Sequence, residues 1–138
     1  MKTKFFLIGS LLAVSLFAVA CGSKAGSDQT SLVGTLRGAG AEVELGDNVE
    51  QPFFTVAGQI IKVNGMDVQV FEYETAEALE ADVAQISPDG GSVGTSMVGW
   101  IATPHFYKSG RLIALYVGDD QATLDLLEGA LGAQFAGR

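Results

Sequence analysis

The chain has 138 residues, with eight basic and sixteen acidic side chains, one histidine and one cysteine. This length suits one folded domain, and a formal net charge of −8 excludes a general nucleic-acid binder, which needs basic surface to neutralise phosphates. A single cysteine excludes an internal disulfide bond and a zinc site built from several thiolates.

The first twenty residues have the pattern of an export signal. Lys2 and Lys4 precede an uncharged, apolar run at 5–20, as in secretory signal peptides. Such a run, if helical, would reach about 24 Å, short of the roughly 30 Å hydrocarbon core of a bilayer. We therefore predict a cleaved signal peptide at 1–20 rather than a membrane-spanning helix.

The end of this run, Ala18-Val19-Ala20-Cys21, resembles the lipobox of bacterial lipoproteins. In that family the chain is cut before the cysteine. The resemblance implies that Cys21 carries a diacylglyceryl group on its thiol and a further acyl chain, such as palmitate, on its amine. Two or three acyl chains, at about 0.8 kcal/mol per buried methylene, anchor a protein where one does not. The alternative is cleavage after Ala20 by an ordinary signal peptidase, which would release a soluble protein with a free Cys21.

The stretch that follows, 21–29, is predicted to be a flexible tether because it consists mainly of Gly, Ser, Ala and single charges. Removing the signal takes away two lysines and no acid, so the mature chain has six basic and sixteen acidic residues, a formal −10. Anionic lipid headgroups repel such a charge. We expect an extracytoplasmic protein of the bacterial cell envelope, held at the membrane by lipid on Cys21 alone. The mature sequence otherwise resembles small, uncharacterised bacterial lipoprotein domains, which implies a setting and no activity.

A single domain at 30–138 is predicted to open with a short helix and an edge strand. Leu32 and Leu36 lie on one side of a helix over 31–39, for which Ser31 is a candidate N-cap. Alternation at 42–45 predicts a brief strand, followed by a polar turn at 46–48.

The clearest local signal is a hairpin followed by a helix. Asn64-Gly65 lies between two β-rich runs, 59–63 and 66–73, and this dipeptide is the preferred type I′ turn because both positions adopt positive φ. Thr75 is then a candidate cap for an amphipathic helix with Leu79 and Val83 on its apolar face.

The same order returns in the second half. An extended run at 98–107, a turn at Ser109-Gly110, a strand at 111–117 and a helix capped by Asp119 or Asp120 repeat the pattern, and a slide of 45 residues places Gly65 on Gly110. The predicted fold is α+β: a four- to five-stranded antiparallel sheet with helices mainly on one face, built from two hairpin-helix repeats after a short first helix.

One strand of this fold suggests a function. The segment 112–117 is apolar without alternation, which indicates a central strand covered on both faces. Helices on one face leave the other in need of a cover, which the first helix, the Gly/Ser loop at 87–97 or another protein could supply.

Three motifs that could carry chemistry have simpler interpretations. The loop 87–97 has the glycines and hydroxyls of an anion-binding loop but lacks the P-loop lysine, so we interpret it as a flexible connector. Ser92 or Ser96, with His105 and an aspartate, could form a hydrolase triad, but no Gly-x-Ser-x-Gly elbow is present. The candidate oxygen ligands for calcium do not have the EF-hand spacing; they are Asp47, Asn48, Glu50, Asp119 and Asp120. We expect no enzyme, no metal site and no cofactor.

Aromatic residues mark the candidate binding surface. Pro104 cannot donate to a strand ladder, so it indicates a bulge or an edge where neighbouring aromatic residues are partly exposed, although core packing is the usual role of such residues. The candidate residues are Phe53, Phe54, Trp100, His105, Phe106 and Tyr107. The favoured function is a non-catalytic interaction domain that binds another protein or a second copy of itself. The alternatives are a small-molecule or cation-binding module at the aromatic stretch and the Gly/Ser loop, and a hydrolase that uses His105.

Overall fold

The computed structural model describes residues 28–137, so the predicted signal peptide, Cys21 and most of the predicted tether lie outside the described residues. The helices are α1 (Gln29–Gly38), α2 (Ala76–Val83) and α3 (Gln121–Leu131). The strands are β1 (Val43–Val49), β2 (Gly58–Val63), β3 (Met66–Glu72), β4 (Ser92–Val93), β5 (Ser96–Met97), β6 (Pro104–Ser109), β7 (Leu112–Val117) and β8 (Ala136–Gly137).

The predicted α+β class is confirmed, but the predicted strand number is wrong. Six strands form one antiparallel sheet in the order β1-β2-β3-β7-β6-β8, and β4 pairs with β5 in a small separate sheet. Strand β8 adds only two residues, too few to show any hydrophobic period. Strand β7 pairs with β3 and β6 and is buried along almost its whole length, as the unbroken apolar run at 112–117 predicts.

Local signals place most elements correctly. Asn64 has φ +48° and Gly65 φ +84°, the left-handed values that a type I′ turn requires. Helix α1 starts at Gln29, and its cap is Asp28 rather than Ser31, because the Asp28 carboxylate accepts a 2.7 Å hydrogen bond from the Ser31 amide. The predicted turn at 46–48 is wrong, since these residues continue β1 through a shift in its register with β2.

Both faces of the sheet are covered by the chain itself. On the first face, α1 and α3 pack on sheet side chains, which include Ile61, Val63, Val68, Val70, Tyr107, Leu112, Ala114 and Tyr116. On the second face, α2, the β4–β5 hairpin and two irregular segments, 50–57 and 98–103, pack on Phe71, Phe106, Ile113 and Leu115. The Gly/Ser loop thus supplies part of the cover that the sequence leaves open.

The predicted pair of equivalent repeats is not confirmed. Strands β3 and β7 are adjacent and antiparallel, so a two-fold rotation about an axis perpendicular to the sheet would relate the hairpins β2–β3 and β6–β7. Such a rotation would leave the helices that follow the two hairpins on the same face. Instead α2 covers the second face and α3 the first. Val68 and Ile113, which the 45-residue slide superposes, also lie on opposite faces. The two hairpin-helix units therefore have opposite hands.

Candidate functional site

The six residues of the candidate surface lie on two faces of the sheet. Because side chains alternate along a strand, Phe106 of β6 lies on the second face with Phe53, Phe54 and Trp100. His105 pairs with Tyr116 of the first face, and Tyr107 belongs to that face as well. Strand β6 has no bulge, since its register with β7 is unbroken over 104–109. Its other side is an edge except at His105 and Phe106, where the two-residue β8 pairs with it. These aromatic side chains are therefore mainly core.

The aromatic residues of the second face contact one another edge on. Ring centroids are 4.9 Å apart for Phe53 and Phe54, 6.1 Å for Phe53 and Trp100, and 5.9 Å for Trp100 and Phe106. These separations and tilts are those that aromatic pairs prefer. The rings join the segments 50–57 and 98–103 over the sheet.

Hydrogen bonds fix the start of the segment 98–103 to the turn that precedes β4. The indole N–H of Trp100 donates to the Gly90 carbonyl at 2.7 Å, and the Val98 amide donates to the Gly91 carbonyl at 3.0 Å. Gly90 has φ +70°, and a Cβ there would lie 2.9 Å from the Phe106 ring. A glycine is therefore needed at 90 for this approach.

Next to these hydrogen bonds lie two exposed apolar side chains, Met97 and Ile101, which we call the apolar tip. Their exposed fractions are 92% and 99%. The segment between them is held by the hydrogen bonds of the Val98 amide and the Trp100 indole, so the two side chains project from an ordered segment. The sequence analysis missed it because a regular strand was expected from 98 onward, and an alternating strand would have buried part of this stretch.

A buried carboxylate links elements that cover the second face of the sheet. Asp82 of α2 is 2% exposed, and its Oδ2 accepts hydrogen bonds from the Thr55 amide and hydroxyl, both at 2.9 Å, and from the Tyr73 hydroxyl at 2.7 Å. Burial, helped by this hydrogen bond and the Asp82 charge, raises the pKa of Tyr73 well above its ordinary value. No local sequence signal marks the burial of Asp82, because its partners lie at 55 and 73.

The serine and histidine residues of the candidate hydrolase triad are not close to one another. Ser92 and Ser96 belong to the β4–β5 hairpin, which packs on the second face through Val93, whereas His105 lies on the first face. The sheet separates them. His105 instead contacts Gln134, whose Oε1 lies 2.6 Å from Nδ1, and stacks on Tyr116.

His105 lies at the edge of an open cavity of about 280 Å³ beside α3, most of whose lining residues are exposed. The other lining residues are Tyr107, Gln121, Leu124, Glu128, Ala133 and Gln134. The imidazole is 5% exposed, and its Nε2 is buried without a hydrogen-bond partner among the described residues. Burial, followed by the charges of Glu128 and Asp125, raises the pKa of Tyr107.

The remaining candidates have structural roles. In the loop 87–97, the Asp89 carboxylate accepts hydrogen bonds from the Ser87 hydroxyl and the Gly91 amide, so the predicted flexible connector forms a turn and a short hairpin. Asp120 caps α3, accepting from the Thr123 hydroxyl at 2.7 Å and amide at 2.9 Å. Across residues 28–137, no group of three or more His, Cys, Asp or Glu side chains is placed to hold a metal ion.

The described part of the chain is strongly negative. All sixteen acidic residues of the chain lie within 28–137, together with four of its eight basic residues. Three of these four pair with carboxylates, as Lys62–Asp67, Lys108–Glu80 and Arg111–Glu72, and the fourth, Arg37, donates to the Val43 carbonyl.

Comparisons with known proteins give no relative: no protein-family model, no curated protein and no solved structure matches the chain. None of the helices that the structure describes between 28 and 137 is long and apolar enough to cross a membrane.

Proposed function

We propose that the protein is a lipid-anchored, extracytoplasmic, non-catalytic binding protein whose acidic domain docks onto another protein through the apolar tip. The observation that carries the proposal is the near-complete exposure of Met97 and Ile101 on a hydrogen-bonded segment. Contiguous exposed apolar surface is typical of contact sites, and the centre of an interface is more apolar than the rest of a protein surface.

The charge of the domain indicates the character of the partner. Residues 28–137 carry sixteen carboxylates against four cations, each of which already has a partner, so the described domain is strongly negative. Charge complementarity favours association with a basic surface and speeds the encounter. The expected partner therefore offers an apolar recess with basic residues around it.

The proposed lipid anchor restricts where the partner lies. Cys21 and Asp28 are seven positions apart, so the chain between them spans at most about 25 Å when fully extended. If Cys21 carries the acyl chains, the start of α1 stays within that distance of the bilayer surface. The partner is then a membrane protein or a protein held close to the same membrane.

The test is cross-linking in cells of the tagged full-length protein, followed by mass spectrometry. The double variant Met97→Ser with Ile101→Ser removes the tip. The matched control is Leu45→Ser, which removes another exposed apolar side chain, 61% exposed, on the edge strand β1. We expect a partner that cross-links to the wild type and to the control but not to the tip variant.

A second arm tests the anchor. Cys21→Ser should move the protein from the membrane fraction to the soluble fraction and weaken cross-linking. A partner that is retained by the tip variant, or a cross-linked species that consists only of two copies of this chain, would contradict docking of another protein through the tip. A Cys21→Ser protein that still sediments with membranes would contradict the lipid anchor.

A further inference from the structure

We propose that Met97 is an oxidation site that switches the apolar tip off: a hydroperoxide converts its thioether to a sulfoxide, and the oxidised tip no longer docks. The switch rests on the proposed function, because it acts on the same surface and in the same extracytoplasmic setting. Compartments outside the cytosol are the more oxidising ones, so the tip is exposed to such a reagent.

Met97 is the more accessible of the two methionines between 28 and 137. It is 92% exposed, whereas Met66, beside the turn of the β2–β3 hairpin, is 41% exposed. The backbone of Met97 pairs with Ser92, and the Val98 amide that follows donates to the Gly91 carbonyl at 3.0 Å. An ordered backbone thus holds this sulfur in water, and access governs where oxidation occurs.

The reaction needs only the thioether and the peroxide. A lone pair of the Met97 Sδ attacks one oxygen of hydrogen peroxide, so that an S–O bond forms and the O–O bond breaks. The proton of the attacked oxygen passes to the departing hydroxide, which leaves as water. The sulfur loses two electrons and the peroxide gains them. A polar, chiral sulfoxide replaces a flexible apolar side chain.

The sulfoxide should impair docking without disturbing the fold. Its oxygen accepts hydrogen bonds, and burying an acceptor in an apolar recess that offers no donor is unfavourable. Met97 belongs to neither buried cluster of the described domain, so the oxygen stays hydrated while the domain is free. We expect docking to weaken about tenfold and the stability of the domain to stay unchanged.

The chemistry is tested on purified full-length protein in detergent micelles treated with hydrogen peroxide. Tandem mass spectrometry locates the added oxygen, and Met97 should gain it about twofold faster than Met66 or more, in the order of their exposure. Urea unfolding is then measured on the Met66→Leu variant, in which Met97 is the only remaining methionine of the described residues. Its oxidised and untreated forms should unfold alike.

Docking is tested by the cross-linking assay in cells exposed briefly to hydrogen peroxide. Wild type and the matched control Met66→Leu should lose the partner on treatment. Met97→Leu, which keeps an apolar side chain but has no sulfur at the tip, should retain it. Met97→Gln, which places a polar side chain of similar length at the tip, should lose the partner without any peroxide.

The outcomes separate the switch from the docking function. A partner that cross-links to untreated wild type and survives peroxide, or is lost equally from Met97→Leu, would overturn the switch and leave docking intact. Retained cross-linking of Met97→Gln would do the same. Faster oxidation of Met66 than of Met97, or a less stable oxidised domain, would overturn the switch through its chemistry. Absence of any partner from untreated wild type would overturn docking, and the switch with it.

Discussion

The two faces of the sheet are covered by different means. The first face is covered by two helices of ten and eleven residues with aliphatic side chains, which pack by non-directional burial. The second face is covered by an eight-residue helix, a two-residue hairpin ladder and two irregular segments. There, particular hydrogen bonds at Asp82 and Trp100 hold the cover in place. We infer that loss of a hydrogen-bonding side chain should destabilise the cover of the second face far more than the cover of the first.

Truncation of a core side chain on the first face should give the largest loss of stability. Leu127 of α3 is fully buried against the sheet, and Leu127→Ala should lower the free energy of unfolding by about 3 kcal/mol through lost burial and a cavity. Urea unfolding followed by circular dichroism measures it. Asp125→Ala, on the exposed side of the same helix, is the control and should change it by less than about 0.5 kcal/mol. A loss below about 1 kcal/mol for Leu127→Ala would show that α3 contributes little to the core.

The second face should respond to loss of a charge instead. Asp82→Ala leaves three donors, on Thr55 and Tyr73, without their acceptor, which should lower the free energy of unfolding by about 2 to 3 kcal/mol. Hydrogen exchange should show faster opening of 50–57 while α1 and α3 keep their protection. Glu77→Ala on the same helix is the exposed control. Uniform loss of protection on both faces would contradict a separate role for this carboxylate.

The indole hydrogen bond of Trp100 should contribute less to stability than the hydrogen bonds of Asp82. Trp100→Phe keeps an aromatic ring against Phe53 and Phe106 but removes the donor to the Gly90 carbonyl. We expect a loss of about 1 kcal/mol in the free energy of unfolding. Phe53→Leu, which removes a ring but no hydrogen bond, is the comparison variant. If Trp100→Phe is as stable as the wild type, packing alone holds the segment 98–103.

Acid should weaken the first face through its helix caps. Hydrogen bonds from the Thr123 hydroxyl and amide lower the pKa of Asp120 below its ordinary 3.8. Because the folded-state pKa is depressed, the stabilisation is present above the ordinary pKa and is lost as pH falls through the folded value. Asp120→Ala should therefore lower the melting temperature at neutral pH, with its curve converging on the wild type below pH 3.8.

Asp120→Asn is the matched control for that titration, since asparagine caps helices but does not ionise. It should keep much of the melting temperature at neutral pH and lose less on acidification. Curves for wild type and Asp120→Ala that stay parallel down to the lowest pH would mean that this carboxylate does not contribute to the acid response.

The same contrast explains what the sequence could predict. Periodicity and turn chemistry located the hairpin at Asn64-Gly65, helices α2 and α3, and the buried strand β7, because each signal is local. The face that α2 covers depends on the hand of the hairpin-helix unit, which no local pattern encodes. The burial of Asp82 depends on partners 27 and 9 positions away, and the continuation of β1 through 46–48 depends on a register shift with β2.

The candidate site was predicted less well for the same reason. Sequence located the aromatic residues, and alternation along a strand already separates Phe106 from His105. Which face each one reaches depends on the pairing of β6 with β7, which no local pattern encodes. The apolar tip and the cavity at His105 arise where regular elements end, and there the chain path depends on distant hydrogen bonds.

The smallest effect on stability is expected at the tip, and it decides whether the tip is surface or core. Ile101 is 99% exposed, so Ile101→Ser should change the free energy of unfolding by less than about 0.5 kcal/mol, although Trp100 beside it stabilises the fold. Urea unfolding of Ile101→Ser beside Trp100→Phe makes the comparison within one segment. A loss above about 1 kcal/mol for Ile101→Ser would mean that Ile101 packs within the chain. Unchanged stability, joined to lost cross-linking, would assign the exposed side chain to a partner, because its removal costs the isolated domain nothing.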